Sequence, residues 1–375
     1  MKDPRHLKLA KVLVRHSTKI KPGDHVLLEA FDVDPEFLQA LVQEVCDAGG
    51  LPVIEYKFAQ ITRKILHNGT LERMKFIGKV ELERMKKIDV YMGIRGMFNS
   101  KEMSDVPSDK MALYETHWAK PVHMQERVNN TRWVVLRMPS PQLGQMANMS
   151  TEAFEDFFYK VCTDVDWAKA EKAVKPAVAH MKKVDKVHIK GPGTDLQFSI
   201  KKIPIIPCCG NMNIPDLEVF TAPVKDSVEG VVSYNAPSSY RGFTFKNIVL
   251  EFKKGKIVKA TANDTDRINK IFDTDKGARY VGEFAMGFHP YIMQPMDDIL
   301  FDEKICGSFH FTPGNSYDEA DNGNKSSIHW DLVCMQRKEN GGGEIWMDGQ
   351  LIRKDGVFVH KAFEQMNPKH LGMKK

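Results

Sequence analysis

The sequence predicts an α/β protein with an N-terminal open α/β sheet domain over 1–183 and a strand-rich α+β C-terminal domain over 184–375. Three observations predict it. Between His25 and Tyr56 a strand, a helix and a second strand follow one another within about 30 residues, which makes a parallel βαβ unit. At Val184 the pattern changes to short apolar runs broken by Gly, Pro and Asn turns. The acidic and histidine residues that stand inside apolar runs fall almost wholly after that change.

Taken in order, Leu9, Val12, Leu13 and His16 sit at helical spacing. Lys21-Pro22-Gly23-Asp24 is a turn, and 25–30 is a short apolar strand. Asp34-Pro35 opens a helix, with Asp34 as N-cap and Pro35 at its first position. Phe37, Leu38, Leu41, Val42 and Val45 form its apolar stripe, and Gly49-Gly50 end it. Strands follow at 52–56, 88–94 and 133–138. The Lys/Arg-rich stretch 74–87, interleaved with Glu81 and Glu83, reads as a solvated helix face. Helices are expected from Ser150-Thr151-Glu152 and over 166–183, then strands at 187–190, 196–200, 247–252 and 256–262. Gly341-Gly342-Gly343 reads as a hairpin loop.

Composition narrows the function classes. The chain has 375 residues, 42% hydrophobic and 27% charged, which suits a globular protein with a sizeable core. The net charge of +5 is small and scattered, so no nucleic-acid partner is expected. Six cysteines without a Cys-x-x-Cys pair read as reduced thiols, and with no signal-like start or membrane-length apolar run the expected location is cytoplasmic. No Gly-x-Gly-x-x-Gly follows the first strand, and neither His-Glu-x-x-His nor Gly-x-Ser-x-Gly occurs. Dinucleotide binding, single-zinc helical proteolysis and the serine-hydrolase elbow therefore lose support.

The C-terminal half holds the chemistry. In Ser326–Val333 alternation puts Ile328, Trp330 and Leu332 on one side, and His329, Asp331 and Val333 on the other, as in a strand. His and Asp at i and i+2 suit a transition-metal site, although such a pair is more often merely solvated. Upstream, His310 lies between Phe309 and Phe311 and faces away from both. Glu283 stands among small and apolar residues in Val281–Gly287, and Glu218 leads into an apolar strand. A glutamate is rarely buried unless it is paired or coordinates a metal. Two Glu, two His and one Asp make a donor set for two borderline-hard divalent ions. Capping or salt bridging would account for each residue singly.

In order along the chain, Gly191-Pro192-Gly193-Thr194-Asp195-Leu196, Glu218-Val219-Phe220-Thr221-Ala222-Pro223, Asp226–Gly230, Gly282-Glu283, Ile299–His310 with Tyr317, and His329-Trp330-Asp331 resemble the motifs of the aminopeptidase T and aminopeptidase S family of metallopeptidases. The likeness runs from Val187 to Val333 and is looser before it. The resemblance implies metal ligands at Glu218, Glu283, His310, His329 and Asp331, a catalytic Tyr317, and Glu303 as a general base or a supporting carboxylate. It implies a metal-dependent aminopeptidase acting on peptides with a free N-terminus, by two-metal activation of water. The metals expected are zinc or cobalt, with manganese or magnesium as alternatives, in a homodimer without a membrane partner. The alternative is a non-catalytic metal- and ligand-binding protein using the same cage. One departure stands out: Phe288-His289-Pro290 follows Gly287, where the family has small or amide residues. His289 there is either a further polar group of the site or part of the pocket wall.

Overall fold

The computed structural model describes residues 3–372, and the chain divides into two compact units. The first runs to Thr163 and regains Gly210–Ile214; the second comprises Asp164–Cys209 and the chain from Pro215 onward. The helix Trp167–Met181 therefore belongs to the second unit, where it packs on the strand Ile206–Cys208 and the turn Glu364–Met366. Composition changes at Val184, but Ala170, Val174, Ala177 and Met181 bury their side chains one helix earlier.

In the first unit β1 (His25–Phe31), β2 (Leu51–Lys57), β3 (Val90–Arg95) and β4 (Arg132–Arg137) are all parallel, in the order β2-β1-β3-β4. The short strand Asn213–Ile214 extends the β4 edge. Asp34 caps the helix Pro35–Asp47 as expected, accepting from Glu36 N–H at 2.7 Å, with Pro35 in its first turn. Phe37, Leu41 and Val45 are fully buried.

The helix Leu71–Met85 departs from the expected solvated face, because Glu81 turns inward. Glu29, buried in the middle of β1, accepts from Lys57 Nζ at 2.7 Å and from the Tyr91 hydroxyl. Lys57 Nζ also lies 3.4 Å from Glu81, whose other oxygen accepts from Trp118 Nε1 at 2.7 Å. A buried carboxylate needs such partners, and Lys57, Tyr91 and Trp118 all come from elements remote in sequence. Gly78 lets this helix approach 115–127 closely, since a Cβ there would meet the His117 carbonyl oxygen at 2.0 Å.

The second unit holds, among the described residues, an eight-stranded, a five-stranded and a two-stranded sheet. The five-stranded sheet runs Val333–Met335, Ser308–Pro313, Val281–Gly287, Glu218–Thr221, Ile206–Cys208, antiparallel throughout. Its apolar face carries Phe284 and Phe311, whose rings meet Phe198 of the larger sheet at 5.0 Å each; Phe311 also meets Phe252 at 5.7 Å. Edge-to-face rings between two sheets fill the interior and hold them in register.

Two expectations fail here. The segment 326–332 is extended but forms only an isolated bridge, His329 with Gly314. It is tied to the neighbouring strand by Asn315 N–H to Ile328 O, Trp330 N–H to Pro313 O and Phe311 N–H to Leu332 O, without a continuous ladder. The alternation is real nonetheless: Ile328, Trp330 and Leu332 are buried. The run 341–343 is not a hairpin loop, because Val333–Met335 and Glu344–Met347 belong to different sheets. Three successive glycines at positive φ carry the chain between them.

The first unit should lose stability on acidification. Burial pushes His123 down to about 4 from 6.5, and Glu29, although burial opposes it, is held down at about 2 from 4.5 by Lys57, His123 and Arg95. Both folded values are depressed, so in each case the unfolded chain takes up the proton first. The His123 contribution is present above pH 6.5 and fades as pH falls towards 4; the Glu29 contribution fades from 4.5 towards 2. Replacing His123 by Asn should flatten the fall in thermal stability between pH 6.5 and 4, by up to about 3 kcal/mol. Melting curves across that range decide it.

Candidate metal centre

Register sets the site. Gly287 pairs with Glu218, Ala285 with both Phe220 and His310, and Glu283 with Thr312. Residues two apart share a face, so Glu218, Glu283, His310 and Thr312 point away from the phenylalanine face. An irregularity between Val281 and Glu283 ends the regular pairing at the glutamate.

The distances interlock. His310 Nε2 lies 2.9 Å from Glu283 Oε1 and 3.4 Å from Glu218 Oε2. His329 Nε2 lies 3.5 Å from Glu283 Oε2 and 3.2 Å from Asp331 Oδ1. Glu283 thus stands between the two histidines with one oxygen towards each. Glu218–Glu283–His310 and Glu283–His329–Asp331 each bring one ligand atom per residue within 4.8 Å of one another. The Oε2 atoms of Glu218 and Glu283 and Nδ1 of His310 are buried without a hydrogen-bond partner. Buried oxygens of this kind call for a cation. The site's donors fit divalent ions: carboxylates plus neutral imidazole. His329 Nδ1 faces the Asn315 carbonyl at 2.8 Å, which leaves Nε2 for a metal, and Thr312 Oγ1 donates to Asp331 at 2.8 Å.

Beside these five sits Lys304, with its side chain 1% exposed. Its Nζ lies 2.7 Å from Glu218 Oε1, 2.7 Å from Glu303 Oε1 and 3.3 Å from Asp216 Oδ1. Cys208, Asp216 and Glu218 form a further cluster at its flank. Tyr317 keeps 46% of its surface exposed, and its ring lies 4.5 Å from that of His329. Burial first, and then the nearby charges of Asp331, Glu283 and Glu303, raise its phenol well above the ordinary value. Exposure rises from His310 at 0% to Asp331 at 13%, Glu303 at 15% and His329 at 20%, so solvent meets the site on the Tyr317 side.

Burial and charge shape the titration. Burial raises Glu218, and burial with Glu218 and Asp331 nearby pushes Glu303 up to about 8 against the pull of Lys304. Burial by itself would lower the histidines; the carboxylates instead carry His310 to about 9 and His329 to about 10. Asp331, despite burial, is held well below the usual range by His329, His310 and Thr312.

All five expected ligands, with Glu303 and Tyr317, therefore come together in the second unit. His289 does not join either cluster: its Nδ1 accepts from Tyr291 N–H at 3.2 Å and its ring faces Trp167 and Tyr291. Asp216, Thr312, the Asn315 carbonyl and the placement of Lys304 went unread in the sequence. Period-two spacing from Glu218 and His310 marks Asp216 and Thr312, but nothing local marks Lys304 as buried.

The family model for the thermophilic metalloproteases (M29) matches residues 2–358. The chain belongs to that family. Aminopeptidase PepS of Streptococcus thermophilus is 25% identical over 398 aligned positions, covering 92% of this chain and 95% of that protein. Aminopeptidase T of Thermus thermophilus is 31% identical over 220, about half of each chain (51% and 51%). Among solved structures, wild-type AmpT from Thermus thermophilus superposes with a TM-score of 0.80 at 22% identity, over 95% of this chain and 99% of its own. The 2,5-dihydroxypyridine dioxygenase of Pseudomonas putida KT2440 gives 0.62 at 14% identity, over 96% and 98%. At these identities the two structures share a fold with this M29 chain, and the α/β-plus-strand-rich architecture is the one expected.

Metal uptake by this site should expel protons. His310 and His329 carry protons up to about 9 and 10, and a metal needs their neutral form. Affinity for Zn²⁺ should therefore fall as pH drops from 9 to 6. Calorimetry at pH 7 in buffers of different ionisation enthalpy should count about two protons released from the histidine pair. Affinity independent of pH would contradict the ligand assignment.

Proposed function

We propose that the protein is a metal-dependent aminopeptidase that removes N-terminal residues from peptides with a free amine, using two divalent ions bridged by Glu283. The observation that carries this reading is the position of Glu283, with one oxygen towards each histidine and two ligand clusters meeting at it. Asp216, Glu218, Glu283, Glu303 and Asp331 are five carboxyl groups against one lysine, an acidic excess that divalent ions would offset. The names of the relatives, PepS and aminopeptidase T, support the reaction class. Zinc or cobalt suits the mixed carboxylate–imidazole donors, with manganese or magnesium as alternatives. The working form in this reading is a cytoplasmic homodimer; no helix among the described residues is long and apolar enough to cross a membrane.

Glu218, Glu283, His310, His329 and Asp331 would hold the ions, which when bound polarise a peptide carbonyl and acidify a water. Glu303 is anchored through Oε1 by Lys304 and has a proton affinity near the working pH, which suits a general base that later returns the proton to the leaving amine. Tyr317 stays protonated at neutral pH and offers its hydroxyl as a donor where negative charge develops. The exposed side at His329 and Tyr317 is the approach for the peptide.

Chelation and dialysis should abolish release of the N-terminal residue from an unblocked dipeptide, and added metal should restore it; an N-acetylated dipeptide should stay intact. A protein that binds metal yet cleaves neither substrate would be a ligand-binding member of the fold. Glu283→Gln should fold, lose most activity and hold fewer than two ions by elemental analysis, because its amide cannot offset two adjacent cations. Tyr317→Phe should lose about 10²–10³ in kcat, the usual loss for one oxyanion donor. KM and metal content should change little; an unchanged kcat would make Tyr317 structural.

A further inference from the structure

Lys304 is fully enclosed, yet a lysine is almost never buried without partners. Its three partners are all carboxylates, and they lie on two separate segments, Asp216 and Glu218 at the start of one strand and Glu303 beside the lysine itself. The way it holds Glu218 is specific. The ammonium pairs with Oε1 at 2.7 Å by charge and without hydrogen-bond geometry, while Oε2 is turned towards His310 Nε2 at 3.4 Å and has no hydrogen-bond partner. Glu303 is taken by Oε1 as well. One cation thus decides which oxygen of Glu218 remains for a metal and keeps Glu303 from turning both oxygens inward.

We propose that Lys304 is a positioning residue: a built-in cation that limits Glu218 to one metal-facing oxygen and reserves Glu303 for proton transfer. The proposal rests on the metal-centre reading above. It adds that the chain supplies a third, permanent positive charge in the nest of Asp216, Glu218 and Glu303. A lysine does this better than an arginine, because a compact point charge fits between three converging carboxylates where a planar fork does not. Two consequences follow. The metal-free protein depends on Lys304, because five carboxylates otherwise crowd one another with only the histidines between them. The metal-loaded protein depends on it less, because incoming ions provide charge, and the freed Glu218 and Glu303 become additional oxygen ligands.

The test uses Lys304→Met, which keeps the length and apolar stem and removes the charge. Chelated and Co²⁺-loaded forms of wild type and variant are compared by thermal melting and by the visible absorption of Co²⁺. Cobalt reports coordination directly, so the readout is independent of peptide cleavage. We expect a lower melting temperature for the chelated variant and a larger rise on adding Co²⁺ than in wild type. We expect Kd for Co²⁺ at least about tenfold tighter, since a stabilisation confined to the loaded state appears as affinity. The absorption band should shift as coordination changes, and Lys304→Arg should restore the wild-type band at least in part. Superimposable Co²⁺ spectra with an equal metal-induced rise in melting temperature would overturn the proposal and leave Lys304 as a structural counter-charge. Should Lys304→Met not fold, a crystal structure of the Zn²⁺-loaded wild type decides. Nζ within hydrogen-bond distance of both Glu218 and Glu303 supports the assignment; Nζ withdrawn from either overturns it. Failure of wild type to bind Co²⁺ at all would instead strike the metal-centre reading itself.

Discussion

Five carboxylates are crowded into one region beside the five-stranded sheet, and much else in the second unit follows from that crowding. Taking an ionised carboxylate out of water is expensive unless a partner charge compensates it. Here compensation is partial: one ammonium, two imidazoles drawn towards protonation, and a hydrogen bond from Thr312 to Asp331. The unpartnered oxygens of Glu218 and Glu283 are what remains. A protein keeps such an arrangement only if something positive completes it, and the donor types select divalent metal.

The support for this crowding lies on the opposite face of the same strands. Phe284 and Phe311 alternate with Glu283 and His310, and their rings lock against Phe198 and Phe252 of the larger sheet. Strand periodicity therefore gives one sheet two tasks: an apolar face that fixes the strands, and a polar face whose carboxylates and imidazole cannot drift. Precision at the centre is inherited from packing behind it. Two of the donors come instead from the irregular segment 326–332, held by backbone hydrogen bonds and by buried Ile328, Trp330 and Leu332. That segment is where solvent reaches the site, consistent with a rigid floor and a more open rim.

The first unit solves a related problem differently. Glu29 and Glu81 are buried as well, but Lys57, Tyr91 and Trp118 satisfy them with side chains alone. Similar buried carboxylates thus occur with a closed network in one unit and an open one in the other. The difference lies in the satisfaction of each oxygen, which residue type does not reveal.

Much of this was legible from the chain. The cap at Asp34-Pro35, the parallel strand–helix–strand start and the shift to a strand-rich half are local, written in spacing and in Pro and Gly. Glu218, Glu283, His310, His329 and Asp331 were legible because a charge inside an apolar run has few reasons to be there, and because their order along the chain matches a family. Tertiary structure decided the rest. The unit boundary follows packing of Trp167–Met181, not the change in composition. The segment 326–332 alternates like a strand but lacks a ladder, since alternation reports burial and a ladder needs a partner in register. Glu81 and Lys304 look in sequence like surface charges; each is buried because an oppositely charged group from a distant segment arrives beside it, and such long-range neutralisation leaves no local trace.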